Sequence, residues 1–237
     1  MEKLKKMLKK LSPITLGLML AFTSVFGQDS PEKKFAFNSE KVKLSTFYAE
    51  IAPSTNFAQL NDQLANIAVF SGGFILNDKF SVSFFMANSP KLNLLAVPPQ
   101  GSGEYNDWVE AGVELDKLES STEFVYVNFR HSGLHFSYMH RTDRMLFWRA
   151  GLQAGFLGGM SLSENKSFMG LFNNEVYNES VISLAPSLGL GVNLLSWWRI
   201  HADAGYRLMG VDERIMKAAD SDSFFFSLSF GFGNFGK

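Results

Sequence analysis

Thirteen residues near the end of the chain limit the fold more than any others. From Ile182 to Leu194 the even positions are Ile, Leu, Pro, Leu, Leu, Val, Leu, and the odd positions are Ser, Ala, Ser, Gly, Gly, Asn. An apolar period of two is the mark of a β-strand with one greasy face. Here the greasy face runs the full length, and the other face is small or polar. In a soluble sandwich the greasy face turns inward. In a membrane barrel it turns outward and the small residues fill the lumen.

The next strand decides between the two. Trp198, Ile200, Ala202, Ala204, Tyr206 and Leu208 make one face, while Arg199, His201, Asp203, Gly205 and Arg207 make the other. Only the three residues Leu195 to Trp197 join the two strands, so their apolar stripes lie on the same side. The same polarity recurs in Leu146–Phe156, with Arg149, Gly151, Gln153 and Gly155 opposite the apolar stripe. It recurs in Phe80–Met86 opposite Ser81 and Ser83, and in Phe224–Phe232 opposite Ser227, Ser229, Gly231 and Gly233. So many apolar faces exceed what one small core can bury. After residue 27 the chain has no run of eighteen apolar residues, so it crosses a membrane only as a closed barrel.

The first ten residues carry five lysines and one acid, and Leu11–Phe26 are nearly free of charge. That is the layout of a secretory signal peptide. Pro13 makes the apolar run too short for a spanning anchor, and no Cys follows it to carry a lipid. Residues 1–27 are expected to be cleaved, 28–41 to form a polar periplasmic leader, and 42–237 to form the barrel. Removing 1–27 takes five of 22 Lys+Arg and one of 23 Asp+Glu, leaving 17 basic and 22 acidic residues. That acidic balance argues against a nucleic-acid partner. The chain has no Cys, so it has neither disulfides nor thiolate metal sites. Its 24 Phe suit a lipid-facing surface and its 20 Gly a crowded interior.

The expected fold is all-β: a transmembrane, antiparallel, up-and-down barrel. Short turns are expected at Asn77-Asp78, Arg141–Asp143 and Leu195–Trp197. Longer connections are expected at 52–62, 88–121, 161–178 and 211–222. Short and long alternate, as periplasmic turns and outer loops do, so both ends of the barrel are periplasmic. Val42–Ile51 and Ala65–Leu76 read as less regular strands, with a bulge or bend at Gly72-Gly73. Gly158-Gly159 reads as a strand end. Eight strands result if Phe124–His140 is one long strand. Ten result if Val109–Asp116 is a further strand and the chain turns at His131-Ser132-Gly133.

Several short segments carry a likeness. These are Phe57-Ala-Gln-Leu-Asn-Asp62, Ser71-Gly-Gly-Phe-Ile-Leu-Asn77, Gly133-Leu-His-Phe-Ser-Tyr138, Asp203-Ala-Gly-Tyr-Arg207 and the Phe-Gly-Asn-Phe that ends at Phe235. Together they resemble an uncharacterised family of small outer-membrane barrels of Bacteroidetes-type bacteria. The resemblance implies the outer membrane and eight strands. It supplies no catalytic residues.

An eight-stranded barrel is just wide enough for side chains to fill. Inward Arg149, Arg199, His201, Asp203, Arg207, Gln153 and His135 therefore meet one another. Buried charge needs partners, so a paired lumen network is expected around Asp203, with Arg149, Arg199 and Arg207 as its cations. A structural plug is the expected role, and a narrow channel the alternative. His131 and His135 share a face but lie ~13 Å apart along a strand, too far for one ion, so neither a metal nor a cofactor is expected. The His135-x-Ser137 pair resembles that of some outer-membrane lipid A deacylases, which makes a lipid-modifying enzyme a second alternative. Both side chains are expected to point into the lumen, away from lipid. The expected partners are outer-membrane lipid and lipopolysaccharide, the barrel-assembly machinery that reads the aromatic last strand, and an external ligand of the outer loops. The favoured role is non-catalytic, structural or surface-interacting, with residues 91–119 as the largest outer loop.

Overall fold

In a computed structural model, described for residues 44–60, 63–89, 93–164, 175–212, 214–215 and 222–235, ten strands lie in one antiparallel sheet. The expected signal peptide (1–27) and leader (28–41) lie outside the described residues. The strands are β1 (Leu44–Leu60), β2 (Gln63–Leu76), β3 (Phe80–Asn88), β4 (Asn93–Ala96), β5 (Phe124–His140), β6 (Leu146–Ser163), β7 (Glu175–Ser180), β8 (Ile182–Leu195), β9 (Trp198–Gly210) and β10 (Ser223–Gly233). A helix, α1 (Gly103–Ala111), precedes β5. Eight strands close the barrel in the order β1, β2, β3, β5, β6, β8, β9, β10 and back to β1.

The other two strands prolong staves instead of widening the ring. β3 pairs with β5 up to Asn88↔Arg130, and β4 takes over on the same edge at Asn93↔Val127. β8 pairs with β6 up to Ser183↔Gly155, and β7 takes over at Ser180↔Gly159. A membrane-crossing strand needs ~9–11 residues. At 17 and 18 residues, β5 and β6 therefore project well beyond the bilayer on one side.

Four sequence expectations are corrected. Val109–Asp116 is not a strand. Its first part belongs to α1, because Ser102 Oγ accepts the Tyr105 amide at 3.1 Å as an N-cap and Gly112 closes the helix at φ +93°. β5 runs unbroken through His131-Ser132-Gly133, so the ten-stranded barrel does not form. The 52–62 connection is mostly a β1–β2 hairpin that continues past an irregularity between Ala52 and Asn56, where Pro53 cannot donate to a ladder. The ladders pass through Gly72-Gly73 without a bulge. Gly73 is small for another reason: a Cβ there would stand 2.1 Å from the Val82 carbonyl. Nor does β6 end at Gly158-Gly159. It bulges below them, between Gly155 and Leu157, and continues to Ser163 with Gly158 at φ +88°.

The short turns sit together at one end. Asn77 and Asp78 both adopt positive φ, the twist that a tight hairpin needs. The barrel's own ends are tied to that level: the Asp78 amide donates to Ser45 Oγ at 2.9 Å, and the Phe235 amide to the Ser196 carbonyl at 2.7 Å.

Candidate functional site

The outside of the barrel is apolar where water would forbid it. Phe47, Phe70, Phe74, Phe84, Phe136, Leu190, Phe224 and Phe226 are all exposed, Phe224 by 79% and Phe47 by 71%. A soluble protein rarely exposes so continuous a patch. Tyr138 and Trp148 pack edge to face (centroids 5.6 Å apart), with His140 beside them, and Trp197 stacks on Phe232, all toward the short-turn end. An apolar band with an aromatic girdle on a closed β-barrel is built for lipid. The chain is an outer-membrane barrel. In such barrels the short turns lie on the periplasmic side and the longer extensions on the outer side.

The inside alternates with this surface and is charged. Strand β1 supplies Glu50, β6 Arg149, β9 His201 and Asp203, and β10 Ser229, and all five are buried. Arg149 binds both carboxylates. Nη1 donates to Glu50 Oε2 at 2.8 Å and Nη2 to Glu50 Oε1 at 2.7 Å. Nε donates to Asp203 Oδ1 at 2.7 Å, and Nη2 also reaches Asp203 Oδ2. Ser229 Oγ donates to Glu50 at 2.5 Å, and His201 Nδ1 stands 3.4 Å from the same carboxylate. A guanidinium satisfied on two edges by two carboxylates is a strong buried arrangement. It cross-links β1, β6 and β9 through the middle of the lumen.

Apolar layers lie above and below this bridge. Toward the periplasm, Arg199 sits over Phe235 (3.9 Å) and Phe147 (5.1 Å), beside Ile75 and Met139. Outward, Arg207 lies over Phe225 (5.3 Å), and His131 bonds Ser183 at 3.1 Å while stacked on Phe129 (5.4 Å). Beyond them Val125, Val127, Met160, Leu162 and Val176 form a dry core that Trp108 of α1 closes.

Arg149 and Asp203 therefore meet, whereas Arg199 and Arg207 join neither carboxylate and stack on aromatic rings. Gln153 and His135 line a small cavity between Arg149 and Arg207. Ser137 lies inside the lumen with its Oγ 2.5 Å from Ser81 Oγ, and His135 is buried beside it. Sequence reasoning missed Glu50. Its signal was present: Tyr48, Glu50 and Ala52 share a phase in which only Glu50 is charged. Phe147 and Phe225 were also missed, although each shares the phase of an inward polar residue, Arg149 and Ser227.

The segment around α1 is hydrogen-bonded to the outer staves and their connections. The Glu114 amide donates to the Val176 carbonyl (2.8 Å), the Glu119 amide to Glu164 (3.0 Å) and Arg214 to the Glu110 carbonyl (2.9 Å). Tyr177 donates to Glu179 at 3.1 Å; burial first, and then that carboxylate, push its phenol well above the ordinary range. Between Gly103 and Glu119, six acids are exposed against the single Lys117.

No family model matches this sequence, and no curated protein does. Three solved structures are similar to it. They are the N-terminal β-barrel domain of Pseudomonas aeruginosa OprF (TM-score 0.46, 11% identity, 81% of this chain and 99% of that one), Neisserial surface protein A (0.45, 14%, 82% and 99%), and Ail, the attachment invasion locus protein of Yersinia pestis, in complex with the heparin analogue sucrose octasulfate (0.44, 14%, 79% and 97%). The assignment to a lipid-facing barrel rests on this chain's own register and exterior.

Proposed function

We propose that this protein is a non-conducting, non-catalytic outer-membrane barrel that acts through the domain it holds above the membrane. The observation that carries this reading is the filled lumen, with the Glu50–Arg149–Asp203 bridge at mid-depth and apolar layers at both ends. A barrel sealed in this way serves as a mount. The length of β5 and β6 beyond the bilayer goes into displaying α1 and its acidic surface. The partner this surface suits is a cationic one. The lipid-facing belt contacts outer-membrane lipid and lipopolysaccharide, and the aromatic last strand is what the barrel-assembly machinery engages.

Two measurements test the proposal. Purified protein in planar bilayers is expected to give no steady single-channel steps; such steps would overturn the sealed lumen. Cells displaying the protein are expected to bind polylysine-coated beads. Changing Glu104, Asp107 and Glu110 to neutral amides is expected to reduce that binding at unchanged surface level. Equal binding by the variant would overturn the interaction role.

A further inference from the structure

Two lumen cations, Arg199 and Arg207, stand outside the bridge, and of the two Arg207 lines a cavity. Arg207 is 5% exposed, yet among the described residues no hydrogen bond or ion pair reaches it, and its Nη1 is buried without a partner. Facing it across the β9–β10 ladder, Ser223 Oγ is also buried and unbonded. An unpaired ion at that depth is costly, and proteins avoid the cost with a partner. Arg207 lines a cavity of about 30 Å³. Its wall also holds Ser187, Ser227 and Gln153, all able to donate hydrogen bonds. Glu50 and Asp203 also reach the cavity, but Arg149 already occupies both carboxylates.

We propose that this cavity is a binding site for one monovalent anion of halide size, held by Arg207 and the neighbouring hydroxyl and amide donors. Size and charge select the ligand. The cavity exceeds what one ordered water requires, so a halide has room in it. At and beside the bridge three buried guanidinium groups, Arg149, Arg199 and Arg207, stand against two carboxylates, Glu50 and Asp203. A single negative charge beside Arg207 balances that set, whereas a multivalent anion overshoots it. The ion neutralises a buried guanidinium that the protein leaves without a carboxylate. Apolar layers close both ends of the lumen, so the ion enters as the barrel folds.

The test is to fold the full chain into detergent micelles with bromide as the sole halide and to collect anomalous diffraction at the bromine edge. One anomalous peak in the lumen, in contact with the Arg207 guanidinium, is expected. Electron density explained by water only, with no peak, overturns the proposal. In solution, chloride is exchanged for gluconate at constant ionic strength. The folding constant of the wild type is expected to rise about tenfold for each tenfold increase in chloride above the dissociation constant. Arg207→Lys is expected to keep this dependence and Arg207→Gln to lose it. An equal dependence in Arg207→Gln and wild type, or none in the wild type, overturns the proposal.

Discussion

Arg149→Met removes the one cation that Glu50 and Asp203 share. Both carboxylates stay where the ladders hold them, with side-chain exposures of 8% and 6%. Breaking a buried ion pair by deleting one partner costs about 3–5 kcal/mol, most of it from the charge left behind. Ser229 continues to donate to Glu50, while Asp203 loses both Arg149 contacts, so the expected loss is near about 4 kcal/mol. At 1.4 kcal/mol per tenfold, that lowers the folding constant roughly a thousandfold. Stabilities of domains lie near 5–15 kcal/mol, so the variant is still expected to fold. Urea titration in detergent, followed by tryptophan fluorescence, measures the change. Neutralising the stranded acids in the same background, with Glu50→Gln and Asp203→Asn, is expected to restore at least about half the loss. A loss below about 1 kcal/mol in Arg149→Met, or no recovery in the triple variant, would show that the lumen is wet enough to solvate the carboxylates, and would refute the argument from a dry bridge.

Three further expectations follow from single contacts. Gly189→Ala places a methyl 2.0 Å from Asp203 Oδ1, so it is expected to cost about 1–3 kcal/mol as an overpacked site, measured by the same titration. Trp108→Ala empties the roof of the outer core and is expected to cost about 3–5 kcal/mol locally, read as faster proteolysis within 97–123 while the barrel itself stays protected. The third concerns pH. The Thr122 hydroxyl and then the Glu119 amide hold the Glu164 carboxyl below its ordinary 4.5. A lowered folded value means that the anchoring is complete above 4.5 and is lost as the pH falls through the lower folded value. The Glu119 amide resonance is therefore expected to titrate with a midpoint under 4.5 and to show no such step in Glu164→Gln.

The barrel was legible because lipid outside and a crowded lumen inside impose one strict alternation, and Ile182–Leu208 carries it almost without error. The lumen site was legible only in part. Inward placement follows from phase, so Arg149, His201 and Asp203 could be assigned to the interior from their strands alone. Their partners could not. Whether Arg149 meets Asp203 depends on the stagger between β6 and β9, two strands separated by β8, and no local pattern records that stagger. Glu50 shows the same limit, since it joins residues 99 and 179 positions away. The strand misread in Val109–Asp116 had a different cause. Four apolar residues in alternation satisfy a strand template, but the Ser102 and Gly112 caps set the local geometry, and Trp108 found its burial in the outer core.

By itself, the sequence determined the class of structure, the face each strand turns to lipid and the end at which the turns are short, because each follows from period, polarity and loop length read locally. The tertiary structure alone decided which buried charges are paired. It also decided that β4 and β7 lengthen staves instead of widening the ring, and that part of the outer loop folds into a capped helix. Those outcomes depend on register and closure, which exist only once distant strands have met.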